Sequence, residues 1–232
     1  MELPDDDTID ALDDTTRTAI ASHWLHRSAS ELGVAIAFEQ LRPRLAGVGA
    51  AAPVLDLVDK AIGDERRHAD LCARIAARYA GRSLPAPPAR GGPLPDFGTG
   101  DEHTETALVV MGMCCINESI ASEWIRSCWR TATSPLAVMA NREHLQDEID
   151  HARLGWAHLA STAIAPSLKK RLAPWVPRLV EVNVAEWKRP DEHLPPGGIP
   201  AHGHLSAEMN EAVVDAAVRD VVLPGFALTG LA

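Results

Sequence analysis

Two octapeptides carry the strongest chemical signal in this chain. Asp64-Glu65-Arg66-Arg67-His68-Ala69-Asp70-Leu71 and Asp147-Glu148-Ile149-Asp150-His151-Ala152-Arg153-Leu154 agree at five of eight positions, and both contain Asp-Glu-x-x-His. Residues three apart on a helix are neighbours, so each motif sets a carboxylate and an imidazole one above the other on one face. Two such helices face to face, with one further glutamate from each of two partner helices, direct four carboxylates and two imidazoles at one interior point. Such a donor set suits a pair of iron ions: carboxylate oxygens tolerate the ferric state and imidazole supports the ferrous one. Chance yields roughly 0.6 Glu-x-x-His matches in a chain of this composition, and roughly 0.05 once Asp must precede Glu. The chain has two.

The lone glutamates follow from hairpin symmetry. Before the first motif stand Glu31 and Glu39; a turn centred near residue 48 sets residue 31 opposite Glu65. Before the second stand Glu118 and Glu123; a turn near residue 133 sets residue 118 opposite Glu148. The expected ligands are therefore Glu31, Glu65, His68, Glu118, Glu148 and His151, with Glu39 and Glu123 facing solvent or standing behind the ligands.

The elements that must position these residues are all helical. Polar caps at Asp13-Asp14-Thr15-Thr16 open a first helix ending near residue 41, ahead of Pro43 and Gly47-Val48-Gly49. Gly33 is a weak point within it. A second helix spans about 53–79 with Pro53 in its first turn, a third about 102–131, and a fourth starts at Ser134-Pro135 and reaches about 162. Between the second and third lies a Pro/Gly-rich stretch, 83–100, long enough for a crossover. Beyond the fourth, 165–187 reads as a helix interrupted by Pro174 and Pro177, 189–203 as a loop, and 206–222 as a last helix stopped by Pro224-Gly225. No segment alternates with the period of a strand. The expectation is an all-α, four-helix bundle at 15–162, preceded by an acidic leader at 1–14 and followed by helices at 163–232 that pack on the bundle and shape a pocket.

Composition narrows the function. The 232 residues are 46% hydrophobic and 23% charged, enough to bury a real core. A formal net charge of -10 is no footprint for nucleic acid, and Lys169-Lys170-Arg171 is a solvated helix face. No uninterrupted run of 18 apolar residues suggests a membrane span, and the acidic N-terminus lacks the order of a signal peptide. The four cysteines, Cys72, Cys114, Cys115 and Cys128, form no CxxC pair, which excludes a rubredoxin-type iron site or a zinc ribbon. Reduced thiols in a cytoplasmic protein are the expectation.

Other residues have a plain packing reading beside a functional one. Met111, Cys114, Cys115 and Ser122 share the stripe of Glu118 and could wall a pocket, though ordinary core is the plainer reading. His144 shares the face of Glu148 and His151, either behind the ligands, as an extra one, or as a satisfied interior histidine. His103, His193, His202 and His204 fall in loops or helix ends, where solvated side chains are expected. Tyr79 lies eleven residues, roughly 16 Å of helix, past His68, a poor fit to a radical beside a metal. Trp24, Trp124, Trp129 and Trp156 could relay electrons, but core packing explains them as well.

On Glu31, Asp64-Glu65-x-x-His68, Glu118 and Asp147-Glu148-x-x-His151, the chain resembles the ferritin-like di-iron carboxylate superfamily over about residues 16–162. That superfamily includes ferritins, bacterioferritins, rubrerythrins, ribonucleotide reductase small subunits, fatty-acyl desaturases, multicomponent monooxygenases and aldehyde-deformylating oxygenases. The resemblance implies a ferritin-like bundle and two iron ions, with a mixed Mn/Fe pair as an alternative. It also implies Glu65 and Glu118 as the bridges, Glu31 and Glu148 as terminal ligands, and Asp64 and Asp147 as partners of His151 and His68. The implied activity is that of a non-haem di-iron oxidase or oxygenase acting with O2 on a small organic substrate, served by an external electron donor. The alternative is a ferritin- or rubrerythrin-like iron-handling or peroxide-detoxifying protein. Against it stand the long segment after the fourth helix, the absence of rubrerythrin's cysteine pairs and the second Glu-x-x-His. Length and ligand spacing are similar to the aldehyde-deformylating oxygenases, without fixing the substrate. A homodimer is left open.

Overall fold

The computed structural model describes residues 2–192 and 194–231; within them the chain is all-α, with only an isolated bridge between Ile199 and His204 outside the helices and turns. Helices α1 (Asp14–Gly47) and α2 (Ala52–Ala80) form the first long pair. Helix α3 (Glu102–Val110), a π-helical turn (Met111–Asn117) and α4 (Glu118–Thr131) form one continuous rod, followed by α5 (Pro135–Ala160). The remainder comprises α6 (Pro166–Leu172), a 3-10 turn (Ala173–Trp175), α7 (Val176–Trp187), a second 3-10 turn (Pro200–His202), α8 (Ala207–Ala217), a second π turn (Val218–Val222) and α9 (Leu223–Leu228).

Helix starts lie where short polar side chains can take up the unpaired amides of a first turn. Asp13 accepts from the Thr16 amide at 2.8 Å, and Asp101 from that of Thr104 at 3.0 Å. Ser134 accepts from that of Ala137 at 3.2 Å, ahead of Pro135 in the first turn of α5. Asp6 adds to this last cap: it is buried and accepts from the Leu136 amide at 3.1 Å and from the Ser134 hydroxyl. The acidic leader is thus pinned to the start of α5.

Two expected helix ends differ. Helix α1 runs through Pro43 to Gly47, because Leu41 and Leu45, both fully buried, pack with Val54 and Val58 of α2. That burial offsets the single hydrogen bond a proline removes. Pro224 likewise does not stop the last helical run: after the second π turn it falls in the first turn of α9, where its missing N–H is spare. The expected interruption of 165–187 is present: Pro174 lies in the 3-10 turn Ala173–Trp175, and Pro177 in the first turn of α7.

Helix α1 packs along α2, α4 along α5, and α2 against α5. One apolar core joins Leu108 and Ile120 of the central rod to Leu159, Val176, Leu179, Val214 and Phe226, so the C-terminal helices share the interior of the first four helical segments. Residues 81–101, free of regular structure, cross the outside of α1. The Arg90 amide donates to the Ala29 carbonyl at 2.7 Å, and the Leu94 amide to Gln40 Oε1 at 3.1 Å. Gly33 makes this crossing possible: a Cβ there would lie 1.3 Å from the Arg90 carbonyl oxygen. The weak point in the sequence is a contact point in the fold. The run Glu102–Thr131 is long and apolar enough to span a membrane by length and composition, which the search for an uninterrupted apolar stretch overlooked; most of it is buried inside the protein.

Gly33→Ala should destabilise the protein by on the order of 2 kcal/mol or more, since neither backbone can yield without strain. Gly63→Ala, where a Cβ meets nothing within 4 Å, should be neutral or stabilise by up to about 1 kcal/mol through helix propensity. Urea unfolding of both variants checks this; equal effects would rule out the crossing contact as the cause.

Candidate metal centre

The two Asp-Glu-x-x-His motifs lie on α2 and α5, which pack against each other. Glu65 and His68 therefore meet Glu148 and His151, while α1 contributes Glu31 and α4 contributes Glu118. Five of the six residues are buried and Glu31 is nearly so, its side chain 14% exposed. Their donor atoms form two groups that could hold a metal ion, each lying within 4.8 Å: Glu31, Glu65, His68 and Glu148, and Glu65, Glu118, Glu148 and His151. Glu65 and Glu148 belong to both. Glu118, expected from the resemblance to bridge, belongs to one group only, and Glu148, expected to be terminal, belongs to both. The reason is positional: the paired motifs face each other across the centre, and the lone glutamates come from the flanks.

Both imidazoles turn Nδ1 inward and Nε2 outward. His151 Nδ1 lies 3.0 Å from Glu65 Oε1 and 3.3 Å from Glu148 Oε2; His68 Nδ1 lies 3.6 Å from Glu148 Oε1. On the outer side, His68 Nε2 lies 3.2 Å from Asp147 Oδ2, and His151 Nε2 lies 3.4 Å from Asp64 Oδ2. Each aspartate serves the histidine of the other motif, fixing a tautomer that leaves Nδ1 free for a metal. A layer that sequence reasoning missed holds the aspartates. Arg67 donates to Asp64 at 2.9 Å and to Asp147 at 2.5 Å, and Lys60 reaches Asp64 at 3.1 Å and Asp147 at 3.5 Å. The Lys60–Asp64 and Asp64–Arg67 spacings were visible signals, being the four and three residues of helical ion pairs.

The residues could hold a metal ion on their own chemistry. Glu65 Oε2, His68 Nδ1, Glu118 Oε1, Glu148 Oε2 and His151 Nδ1 are buried without a well-directed hydrogen bond, the imidazole nitrogens facing carboxylate oxygens at 3.0–3.7 Å. Such a cluster of buried donors needs protons or a cation among them. Burial, reinforced by Glu65, pushes the Glu31 carboxyl up to about 8, and burial with Glu148 and Glu65 pushes Glu118 far above its ordinary value. For Glu65 burial acts the same way, but contacts from His151 and His68 prevail and hold it down to about 2. Burial disfavours the charge on His68, yet Asp147, Glu65 and Glu148 raise it to about 10; His151 is raised by the same kinds of contact. Without metal, then, protons stand in for cations: on the imidazoles and on the two flanking carboxyls.

The remaining expected residues separate. Glu39 is exposed and paired with Arg66, and Glu123 is paired with Arg126 at 2.8 Å. Met111, Cys114, Cys115 and Ser122 do not line the cavity described below: the first three are fully buried core, and the Ser122 hydroxyl donates to the Glu118 carbonyl at 2.9 Å. The π turn is the reason. Its wider spacing breaks the α-helical stripe before Glu118, and the cavity wall is instead Glu118, Ala121 and Ile125. Gly155 lets α5 approach this turn, since a Cβ there would meet Cys114 and Cys115 at 2.7 Å. Burial pushes all four thiols up, keeping them protonated.

His144 is fully buried beside the ligands. Its Nδ1 donates to the Ala140 carbonyl at 2.8 Å, and its Nε2 lies 3.5 Å from Cys72 Sγ and 3.8 Å from Glu31 Oε1. His103 is exposed. His202 and His204, expected in a solvated loop, are buried instead: His202 against the Tyr79 hydroxyl at 2.8 Å, His204 against His23 and Trp24. The loop folds inward because Ile199 and His204 pair their backbones. His193 lies outside the described residues. Trp24 is fully buried and Trp156 packs on Phe226, whereas Trp129 is 39% exposed.

A cavity of about 570 Å³ opens onto the ligands. Glu31, Glu65, Glu118 and Glu148 line its inner end, Val34, Ala121 and Ile125 are among its apolar walls, and segments at 186–191 and 204–207 line it from the C-terminal part. The volume is that of a small-molecule site.

Glu118→Gln should cost about one of two metal equivalents per chain while Glu123→Gln keeps both, as read by metal analysis after anaerobic Fe(II) loading. Metal should also raise Tm, by the equivalent of about 2.7 kcal/mol at a hundredfold excess over Kd. The rise should be larger near about pH 8 than near about pH 6, because metal must displace protons held by groups whose pKa values are raised. A Tm indifferent to metal at both pH values would contradict an interior metal centre. No protein-family model matches this chain and no curated protein matches it.

Proposed function

We propose that the chain is a ferritin-like four-helix bundle, with residues 81–101 as its crossover, and that it works as a non-haem di-iron oxidase or oxygenase on a small organic substrate. One observation carries the reading: the two Glu/His groups share Glu65 and Glu148, and their four glutamates line a cavity that also presents Val34, Ala121 and Ile125. Iron bound by these donors supplies the electrons and open coordination positions for activating O2; a mixed Mn/Fe pair fits the same donors.

The chain's own residues do the rest. Glu65 and Glu148 belong to both donor groups and would be shared, while Glu31 and Glu118 each belong to one. Asp147 and Asp64 hold the His68 and His151 rings with Nδ1 inward, and Arg67 and Lys60 hold the aspartates. Val34, Ala121 and Ile125 add apolar surface to a cavity otherwise lined largely by polar and charged side chains. A cavity of this size with apolar surface beside the ligands is what an organic substrate needs, and iron storage does not require it.

The test is anaerobic Fe(II) loading, an O2 pulse, and measurement of O2 uptake and oxidised organic product. Uptake at about two Fe per chain, quickened by an organic substrate, is expected. Iron accumulating far beyond two per chain, or rapid consumption of hydrogen peroxide with no organic product, would favour the iron-handling or peroxide-detoxifying alternative.

A further inference from the structure

Arg27 is the residue in the cavity that the metal reading leaves unexplained. It lies one helical turn before Glu31 on α1, lines the cavity, and is 8% exposed. Its guanidinium is flanked by two indoles, with the Trp24 ring centre at 4.7 Å and that of Trp124 at 5.2 Å. Nη1 is buried with no hydrogen-bond partner, and the nearest carboxylate, Glu31, lies 3.7 Å from Nη2. Other cations at the cavity are matched: Lys188 by Asp215 at 2.6 Å, Arg189 by Glu186 at 2.7 Å.

Charge decides what Arg27 is for. Four carboxylates balance two divalent ions, so once Glu31 is committed to metal, Arg27 is left buried and uncompensated. An arginine does not shed its proton to escape such a position. An isolated buried charge is costly unless an anion joins it. A guanidinium that lies over two indole rings, with its Nη1 group unpaired, is a donor that a carboxylate can satisfy with a charge-assisted hydrogen bond.

We infer that the substrate is an organic acid whose carboxylate is held by Arg27 between Trp24 and Trp124, its apolar body lying along Ala121 and Ile125 toward Glu31 and Glu118. The inference rests on the di-metal reading above and adds the substrate's chemical class. Apolar substrates lacking an acid group are poor ligands, because they leave the buried Arg27 Nη1 unpaired.

The test is binding to metal-loaded protein kept anaerobic, followed by intrinsic tryptophan fluorescence and calorimetry, with metal content measured on every sample. The probes are hexanoate, octanoate and phenylacetate, the amides of the same skeletons, and inorganic phosphate. The acids should bind at least on the order of tenfold more tightly than their amides. Arg27→Gln should erase that preference while leaving amide binding unchanged, and Arg27→Lys should retain part of it. Wild-type protein with two metal ions that binds acids and amides alike, binds no acid at millimolar concentration, or binds phosphate as tightly as hexanoate overturns this inference alone. So does an Arg27→Gln protein that still prefers acids. Should the arginine variants fail to fold, the wild-type comparison of acid with amide decides. Wild-type protein that takes up no metal overturns the di-metal reading and this inference with it.

Discussion

Everything near the centre of this fold answers to one constraint: four carboxylates and two imidazoles share one small buried volume. Charges in such surroundings must be neutralised by protons, counter-ions or metal. The protein answers in layers. Glutamates and histidines occupy the middle, aspartates hold the outer nitrogens of the histidines, and Arg67 and Lys60 hold the aspartates at the surface. Each layer fixes the rotamers of the one inside it, so a donor set that is unfavourable without a cation is already oriented for one.

The helices are bound by the same requirement. Donors from α1, α2, α4 and α5 converge only if their registers agree, and close approaches at small residues help set those registers. Gly33 admits the connecting segment against α1, and Gly155 admits the π turn against α5. Just after that π turn stands Glu118, at the point where the rod changes from wide to normal pitch. The C-terminal helices share the apolar core and line the mouth of the cavity. The part of the chain without metal donors is thus the part that would sort substrates, and Arg27, between the two regions, gives the proposed centre a charge to recognise.

The sequence by itself determined the helical class, the helix starts and which six Glu and His residues the structure brings together. These are properties of local spacing: caps one turn from an amide, a carboxylate and an imidazole three residues apart, and glutamates mirrored about a turn. The pairing of Asp64 with His151 and Asp147 with His68 is what the resemblance implies, and the structure has it. Pro43 and Pro224 misled, because burial of Leu41 and Leu45 and a preceding π turn outweighed the local signal. Tertiary structure alone decided what depends on distant segments meeting. Glu148 rather than Glu118 is common to both donor groups because the motifs oppose each other across the centre. The π turn moved the cavity wall from the stripe of Met111, Cys114 and Cys115 to Ala121 and Ile125, and His202 and His204 were drawn inside by a loop that looks solvated. Nothing in the local sequence marks Arg27, because its surroundings come from two indoles 100 residues apart and from a glutamate one turn along α1. Spacing along one helix encodes which groups point together; only packing between helices fixes which of them lack a partner.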